Sequence, residues 1–358
     1  QISTKGGIRA SAARSYLWPL RKRHNLNIQQ KAHVTRVIFR GKRAIGVEYI
    51  QKGQTKTVHA RAEVILSGGA INSPQLLQLS GIGPGKLLQS HNINIVHVSH
   101  HVGKNLQDHL GSDIYYRANV PTLNQELNPM FGKLRAGLKY IFTRKGPLSL
   151  SLNQGGGFIQ IDPNASGPDL QLYFSPVSYT RAPAGVRPLM NPDPFPGFLM
   201  GFNPCKPTSV GNIQISSTDP MLPPKIYSNY LDTDYDKKMM IEGIRLIRRI
   251  ANAPALNSII KDELAPGVGI KSETDIAKYI RQKAWSVFHP CSTCRMGSNP
   301  NVSVVDPKLR VHGVDNLRVV DASIFPTIPT GNINAPSIMV GEYASDIILK
   351  DARNQKGL

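Results

Sequence analysis

The residues able to do chemistry gather in two stretches late in the sequence. The first is Phe288-His-Pro-Cys-Ser-Thr-Cys-Arg-Met-Gly297, and the second is Thr327-Ile-Pro-Thr-Gly-Asn-Ile-Asn-Ala-Pro-Ser-Ile-Met-Val340. His289 precedes Pro290, which restricts its backbone to extended conformations. Taken alone, an imidazole there is more often a hydrogen-bonded structural histidine than a base, although its ordinary pKa suits proton transfer near neutral pH. In the second stretch Gly331, Asn332, Asn334 and Pro336 lead into an apolar helix. Asn334 can cap that helix, whose free N–H groups and partial positive charge favour an anion nearby. Capping leaves the other amide, Asn332, unexplained. Cys291 and Cys294 have the C-x-x-C spacing of zinc and redox sites, but zinc normally takes four ligands and Cys205 is the only other cysteine. No metal site is expected.

These stretches need a framework. From Asn25 to Gly69 the pattern is of short strands at Leu26 to Ile28, His33 to Arg40, Ala44 to Ile50, Thr55 to Ala60 and Val64 to Leu66, with turns at Gly41 and Gly53. Val64 to Leu79 then reads as strand, glycine turn and helix, capped by Asn72 or Ser73, with Pro74 in its first turn and Gly81 ending it. Beyond about Asp108 strand-like runs at 155–161, 169–179, 198–203 and 211–217 are interrupted by a Pro-rich loop from Pro183 to Pro196. A helix follows from Asp234, with Met240, Ile244, Ile247 and Ala251 at helical spacing, and another opens at Ser272 with Asp275 as its box partner. After Trp285 the chain returns to the first domain through Leu317 to Ala322 and a last helix from about Ala335 to Lys350. The expected fold is therefore α/β plus α+β. Residues 1–108 and 285–358 form one domain around an antiparallel-sheet domain of residues 109–284.

Four stretches carry a specific resemblance. Gly69-Ala-Ile-Asn-Ser-Pro-Gln-Leu-Leu-Gln-Leu-Ser-Gly-Ile-Gly-Pro84 resembles the second signature of the glucose-methanol-choline (GMC) oxidoreductases. Val102-Gly-Lys-Asn-Leu-Gln-Asp-His109 resembles the family segment that follows it. The stretch around His289 and that from Val319 to Ile348 resemble the two active-site segments, in the right order. The resemblance implies a flavin adenine dinucleotide (FAD) domain, a substrate domain whose sheet covers the isoalloxazine ring, and oxidation of a small-molecule alcohol by hydride transfer to flavin N5. On this mapping His289 falls on the catalytic histidine and Asn332 where members carry His or Asn. A neutral imidazole would take the hydroxyl proton while the amide orients the same oxygen. Asp321 and Ala322 fall on the flavin-contacting pair, Val34 on the position whose backbone meets adenine, and Asn334 and Ala335 beside the flavin pyrimidine. Turn acid and core valine are the plainer roles for Asp321 and Val34.

The sequence departs from the family at two points. No G-x-G-x-x-G follows an early strand, and the chain begins at Gln1 rather than Met, so it reads as a fragment whose FAD domain is incomplete and which alone would hold flavin poorly. Ser292 stands where members usually have Gly, which matters only if that position needs a positive φ. Net charge is +20, and residues 1–60 hold thirteen Lys or Arg against one acid, Glu48. The cations are scattered along strands without aromatic interleaving, so no nucleic-acid partner is expected. No apolar stretch is long enough to cross a bilayer. The leading reading is a choline-dehydrogenase-like enzyme acting on a primary alcohol, with an oxidase or a hydroxynitrile lyase of the same family as alternatives and, from a different class, a non-catalytic basic binding protein on the same fold. The electron acceptor is not legible.

Overall fold

The computed structural model describes residues 3–179 and 191–355; residues 183–190 of the expected Pro-rich loop lie outside them. The chain forms two compact units. One comprises Gln1–Leu26, Leu110–Cys205 and Asp234–Ser286, and the other Asn27–His109, Lys206–Thr233 and Val287–Leu358. Residues 206–233, expected with the central antiparallel domain, thus join the second unit, and residues 1–26 join the first.

The first unit is built on an antiparallel sheet in the order Gly155–Ile159, Leu170–Ser175, Gly197–Pro204, Leu110–Ala118, Ile260–Ala265, with Trp285–Ser286 pairing the start of Leu110–Ala118. Every residue of Gly197–Pro204 is buried, as expected for a strand covered on both faces. Against it lies the helix Asp234–Ala251, whose apolar face includes the expected Met240, Ile244, Ile247 and Ala251. Gly243 permits the close approach: a Cβ there would lie 2.1 Å from the Phe202 ring. Ser272 caps the helix Glu273–Lys283 by accepting from the Asp275 N–H at 3.1 Å.

The second unit holds three strands, Ala32–Arg40, Arg43–Gln51 and Gln54–His59, in an antiparallel meander. The expected strand at Leu26 to Ile28 is irregular chain instead. Val64–Leu66 pairs in parallel with Leu317–Val319, joining residues more than two hundred positions apart. A further antiparallel sheet runs Lys225–Tyr227, Gly211–Gln214, Lys104–Leu106. The core of this unit gathers Val64, Leu66, Leu77, Val304, Leu317 and Val319, with Cys291 and Cys294 among them.

The helix after Val64–Leu66 begins at Gly69 and ends at Leu79, earlier than its polar residues suggested. Gly69 turns the chain with φ +78, and neither Asn72 nor Ser73 caps. Pro74 therefore sits inside the helix rather than in its first turn. A proline there has no N–H for the carbonyl four residues back, that of Ala70. The Thr293 hydroxyl supplies the missing donor at 2.7 Å. Gly81 follows the helix end with φ +84. The last helix spans Asn334–Gln355, starting one residue earlier and ending five residues later than expected.

Candidate active site

The segment that carries His289 is an irregular strand fixed on both sides. On one side Gln107 and Cys291 exchange backbone hydrogen bonds at 2.9 and 3.2 Å, Val287 donates to His109 at 2.9 Å, and Gly103 donates to Thr293 at 2.8 Å. On the other, the N–H groups of Ser292, Cys294 and Met296 donate to the carbonyls of Ala322, Ser323 and Ile324. Residues 103–109 thus form one edge and the turn after Leu317–Val319 the other. The Gln107 side chain accepts from the Ile328 N–H at 3.0 Å, tying down the loop that leads to Asn332. A single edge therefore positions both stretches singled out in the sequence.

That framework brings His289 and Asn332 together. The Asn332 amide nitrogen lies 3.0 Å from Nε2 of His289. At the other end of the ring, Nδ1 of His289 lies 2.9 Å from Nδ1 of His109, with the two rings nearly perpendicular. With the Asn332 amide nitrogen placed on this side, Nε2 accepts its N–H, and His289 then carries its own proton on Nδ1 and donates it to Nδ1 of His109. His109 is fully buried and His289 nearly so. Burial, followed by the neighbouring His109, pushes the His289 pKa down to about 4, while the Asp108 carboxylate works against both. The base is consequently unprotonated throughout the neutral range. Asp108 accepts the His289 backbone N–H at 2.8 Å through one oxygen and the Tyr230 hydroxyl through the other.

Asp108, His109 and Tyr230 were not singled out from sequence, although two of them end the stretch Val102 to His109. Their signal was available only as membership of that stretch, because His109 and His289 meet across 180 positions.

Phe288 and Ser292, flanking this base, have φ +61 and +71. The position of Ser292 therefore does need the left-handed conformation that favours Gly, and serine occupies it at a cost. Strain beside a candidate base is where backbone strain tends to gather in active sites. Cys291 and Cys294 are fully buried. Burial pushes the Cys291 thiol up to about 12 and the Cys294 thiol higher still, so neither is a thiolate at neutral pH. Among the described residues no cluster of His, Cys, Asp or Glu is arranged to hold a metal ion.

The remaining sequence candidates fall at separate places in the same unit. Asp321 caps the short turn Ala322–Ile324, taking the Ser323 N–H at 2.8 Å on one oxygen. Its other oxygen accepts from the Gly69 N–H at 2.9 Å and the Ser73 hydroxyl at 2.5 Å. The carboxylate is thus committed to holding the glycine turn against the end of Leu317–Val319. Ala322 is buried beside it, whereas Asn334 and Ala335 are exposed at the open N-terminus of the last helix. Val34, 37% exposed, lies on the wall of a cavity of about 670 Å³ shared with Val58, Ile65, Gly68, Asn72 and Gln75. Apolar wall, strand-end backbone and amide side chains together fit a flat heteroaromatic ring with polar edges, as the adenine of FAD presents.

Comparison with known proteins gives this geometry a family. Two family models described as GMC oxidoreductase match residues 1–111 and 207–341. The alcohol dehydrogenase [acceptor] of Pseudomonas putida is 42% identical over 361 residues, covering 98% of this chain and 63% of that protein. The oxygen-dependent choline dehydrogenase of Pseudomonas fluorescens (strain Pf0-1) is 40% identical over 348 residues, covering 96% of this chain and 60% of the relative. A mutant formate oxidase of Aspergillus oryzae RIB40, solved to follow FAD modification, superposes with TM-score 0.89 at 27% identity, covering 98% of this chain and 64% of that one. Pyridoxine 4-oxidase from Mesorbium loti gives TM-score 0.80 at 27% identity, covering 96% and 62%. The chain spans about 60% of the length of the curated relatives it matches. With both family models matched and four signature stretches in order, the chain belongs to the GMC oxidoreductase family.

Proposed function

We propose that this chain forms the alcohol-activating part of an FAD-dependent, dehydrogenase-like oxidoreductase acting on the CH–OH group of a small-molecule alcohol. The observation that carries the reading is the pair His289 and Asn332, 3.0 Å apart, with His289 fixed from behind by His109. A hydroxyl placed between them would give its proton to Nε2 and accept a hydrogen bond from the Asn332 amide. The resulting imidazolium keeps its Nδ1–H on His109, and the carboxylate of Asp108 supplies the nearby negative charge that favours the cation. An alkoxide releases hydride more easily than an alcohol does. FAD, when bound, supplies the acceptor for that hydride.

The positions matched to the cofactor have distinct physical parts in this reading. The N-terminus of Asn334–Gln355, opening with Asn334 and Ala335, offers partial positive charge to the flavin pyrimidine. The Val34 backbone, in its apolar wall, would meet adenine. Asp321 and Ala322 would meet the flavin through the backbone of their turn, since the Asp321 carboxylate is already taken up by Gly69, Ser73 and Ser323. The names of the two bacterial relatives, an alcohol dehydrogenase and a choline dehydrogenase, support an alcohol as the substrate class.

The test is anaerobic reduction of the flavin-loaded protein by a panel of primary alcohols, followed by flavin absorbance. His289→Ala is expected to lower the reduction rate by at least a hundredfold, the scale of a lost general base, with flavin still bound. Retained flavin with unchanged reduction by every alcohol that reduces the parent would overturn the role of His289.

A further inference from the structure

We propose that the helix Met130–Thr143 of the first unit is a docking surface for a bilayer that carries anionic headgroups. The helix opens after Pro129 without a side-chain cap and lies on its own unit by one narrow face. Gly132 makes the contact close, since a Cβ there would lie 1.9 Å from the Glu126 carbonyl oxygen. Ala136 is buried on the same face, and the Tyr140 hydroxyl donates to the Gly7 carbonyl at 3.0 Å. At about 100° per residue these positions share one side of the cylinder.

The opposite side is apolar and faces out. Phe131 is 77% exposed and Met130 and Phe142 each 81%, with Leu134, Leu138 and Ile141 exposed among them. Just past the helix, Leu148 and Leu150 are exposed as well. On helical geometry these six residues of the helix occupy one arc, centred opposite Ala136. An ordinary surface helix is built the other way round, with its apolar stripe inward. Contiguous apolar exposure on this scale marks an interaction surface rather than a solvated one.

Charge identifies the partner. Lys133 and Arg144 border the apolar arc on one side, Arg135 and Lys139 on the other, and the helix contains no acid. Lys133 reaches Asn191 at 2.8 Å, and the Arg144 guanidinium stands over the Tyr140 ring at 5.1 Å, so neither is neutralised by a carboxylate there. An apolar arc with cations on both borders matches the interface plane of a membrane, with acyl chains below and anionic headgroups at the rim. A two-fold contact with a second copy would set these four cations against their own kind. No described helix is long and apolar enough to cross a membrane, so the arrangement is one of lying on the bilayer.

The test is flotation of the flavin-loaded full-length protein with vesicles of phosphatidylcholine alone and of phosphatidylcholine mixed with phosphatidylglycerol. Binding to the mixed vesicles is expected, weakened by added salt. The double variant Phe131→Ser with Phe142→Ser should reduce partitioning by about tenfold or more, and Arg135→Gln with Lys139→Gln by about thirtyfold. Both Phe side chains point away from the unit, so these changes leave the fold intact, and reduction of the flavin by a water-soluble alcohol should not change. As an independent reading, Phe142→Trp should shift its emission to the blue on mixed vesicles. No flotation with either vesicle, unchanged flotation of the Phe variant, or a dimer that the Phe changes dissociate would overturn the proposal.

Discussion

Acidification should act on this protein through His289, and both the sign and the size follow from its surroundings. Burial and the adjacent His109 lower its pKa from 6.5 to about 4. The unfolded chain therefore binds this proton more readily than the folded one. The associated stability is complete above pH 6.5 and is lost as pH falls towards 4. Over that window a shift of this size corresponds to about 3 kcal/mol. The measurement is urea unfolding across that range for the parent and for His289→Asn, whose amide is uncharged at every pH. The parent should lose about 3 kcal/mol more than the variant. Nitrogen-15 shifts of the His289 ring should show Nε2 bare and Nδ1 protonated at neutral pH, with a midpoint near 4. In His109→Asn, which keeps an acceptor for Nδ1, the midpoint should rise yet stay below 6.5, because burial is the larger cause. Equal pH slopes for parent and His289→Asn, or a midpoint near 6.5 in the parent, would refute the reasoning.

Further consequences concern the elements that hold the base. Thr293→Val should cost about 1 to 3 kcal/mol by stranding the buried Ala70 carbonyl. Adding Pro74→Ala should recover most of that loss by restoring the helical N–H, so a double-mutant cycle with no coupling would remove this account. Ser292→Gly should stabilise by about 1 kcal/mol in thermal unfolding by relieving the left-handed serine. Arg318 is 4% exposed and joins Glu63 at 2.7 Å and Asp351 at 2.9 Å. Arg318→Ala should therefore cost about 3 to 5 kcal/mol in urea unfolding, since it leaves two carboxylates without their shared cation.

Local pattern made some parts of the fold legible and left others hidden. The meander from Ala32 to His59 was readable because alternation and glycine turns agree over a short span. The helix Asp234–Ala251 was readable from the spacing of its apolar face. The start at Gly69 was misplaced because Asn72 and Ser73 resemble capping residues, while Ser73 is engaged by Asp321 from the far end of the sequence. The helix Met130–Thr143 escaped notice because it has two glycines and no capping side chain. At the candidate site, the meeting of His289 with Asn332 was implied by family resemblance rather than by spacing. The His109 ring behind it depends on pairing between segments that no local pattern connects.

The parallel pairing of Val64–Leu66 with Leu317–Val319 bears on the order in which the molecule can be assembled during synthesis. The second unit is made from three separate lengths of chain, and the last of them begins at Val287. Until residues near 319 have left the ribosome, Val64–Leu66 lacks this neighbour and the Ala70 carbonyl lacks its donor from Thr293. The first unit, whose last segment ends at Ser286, has all its strands available earlier. Such non-local closure is slow and leaves apolar strand edges waiting. The nascent chain is therefore most open to chaperone binding, and to misassociation, while the meander is already complete and the C-terminal strand is still being made.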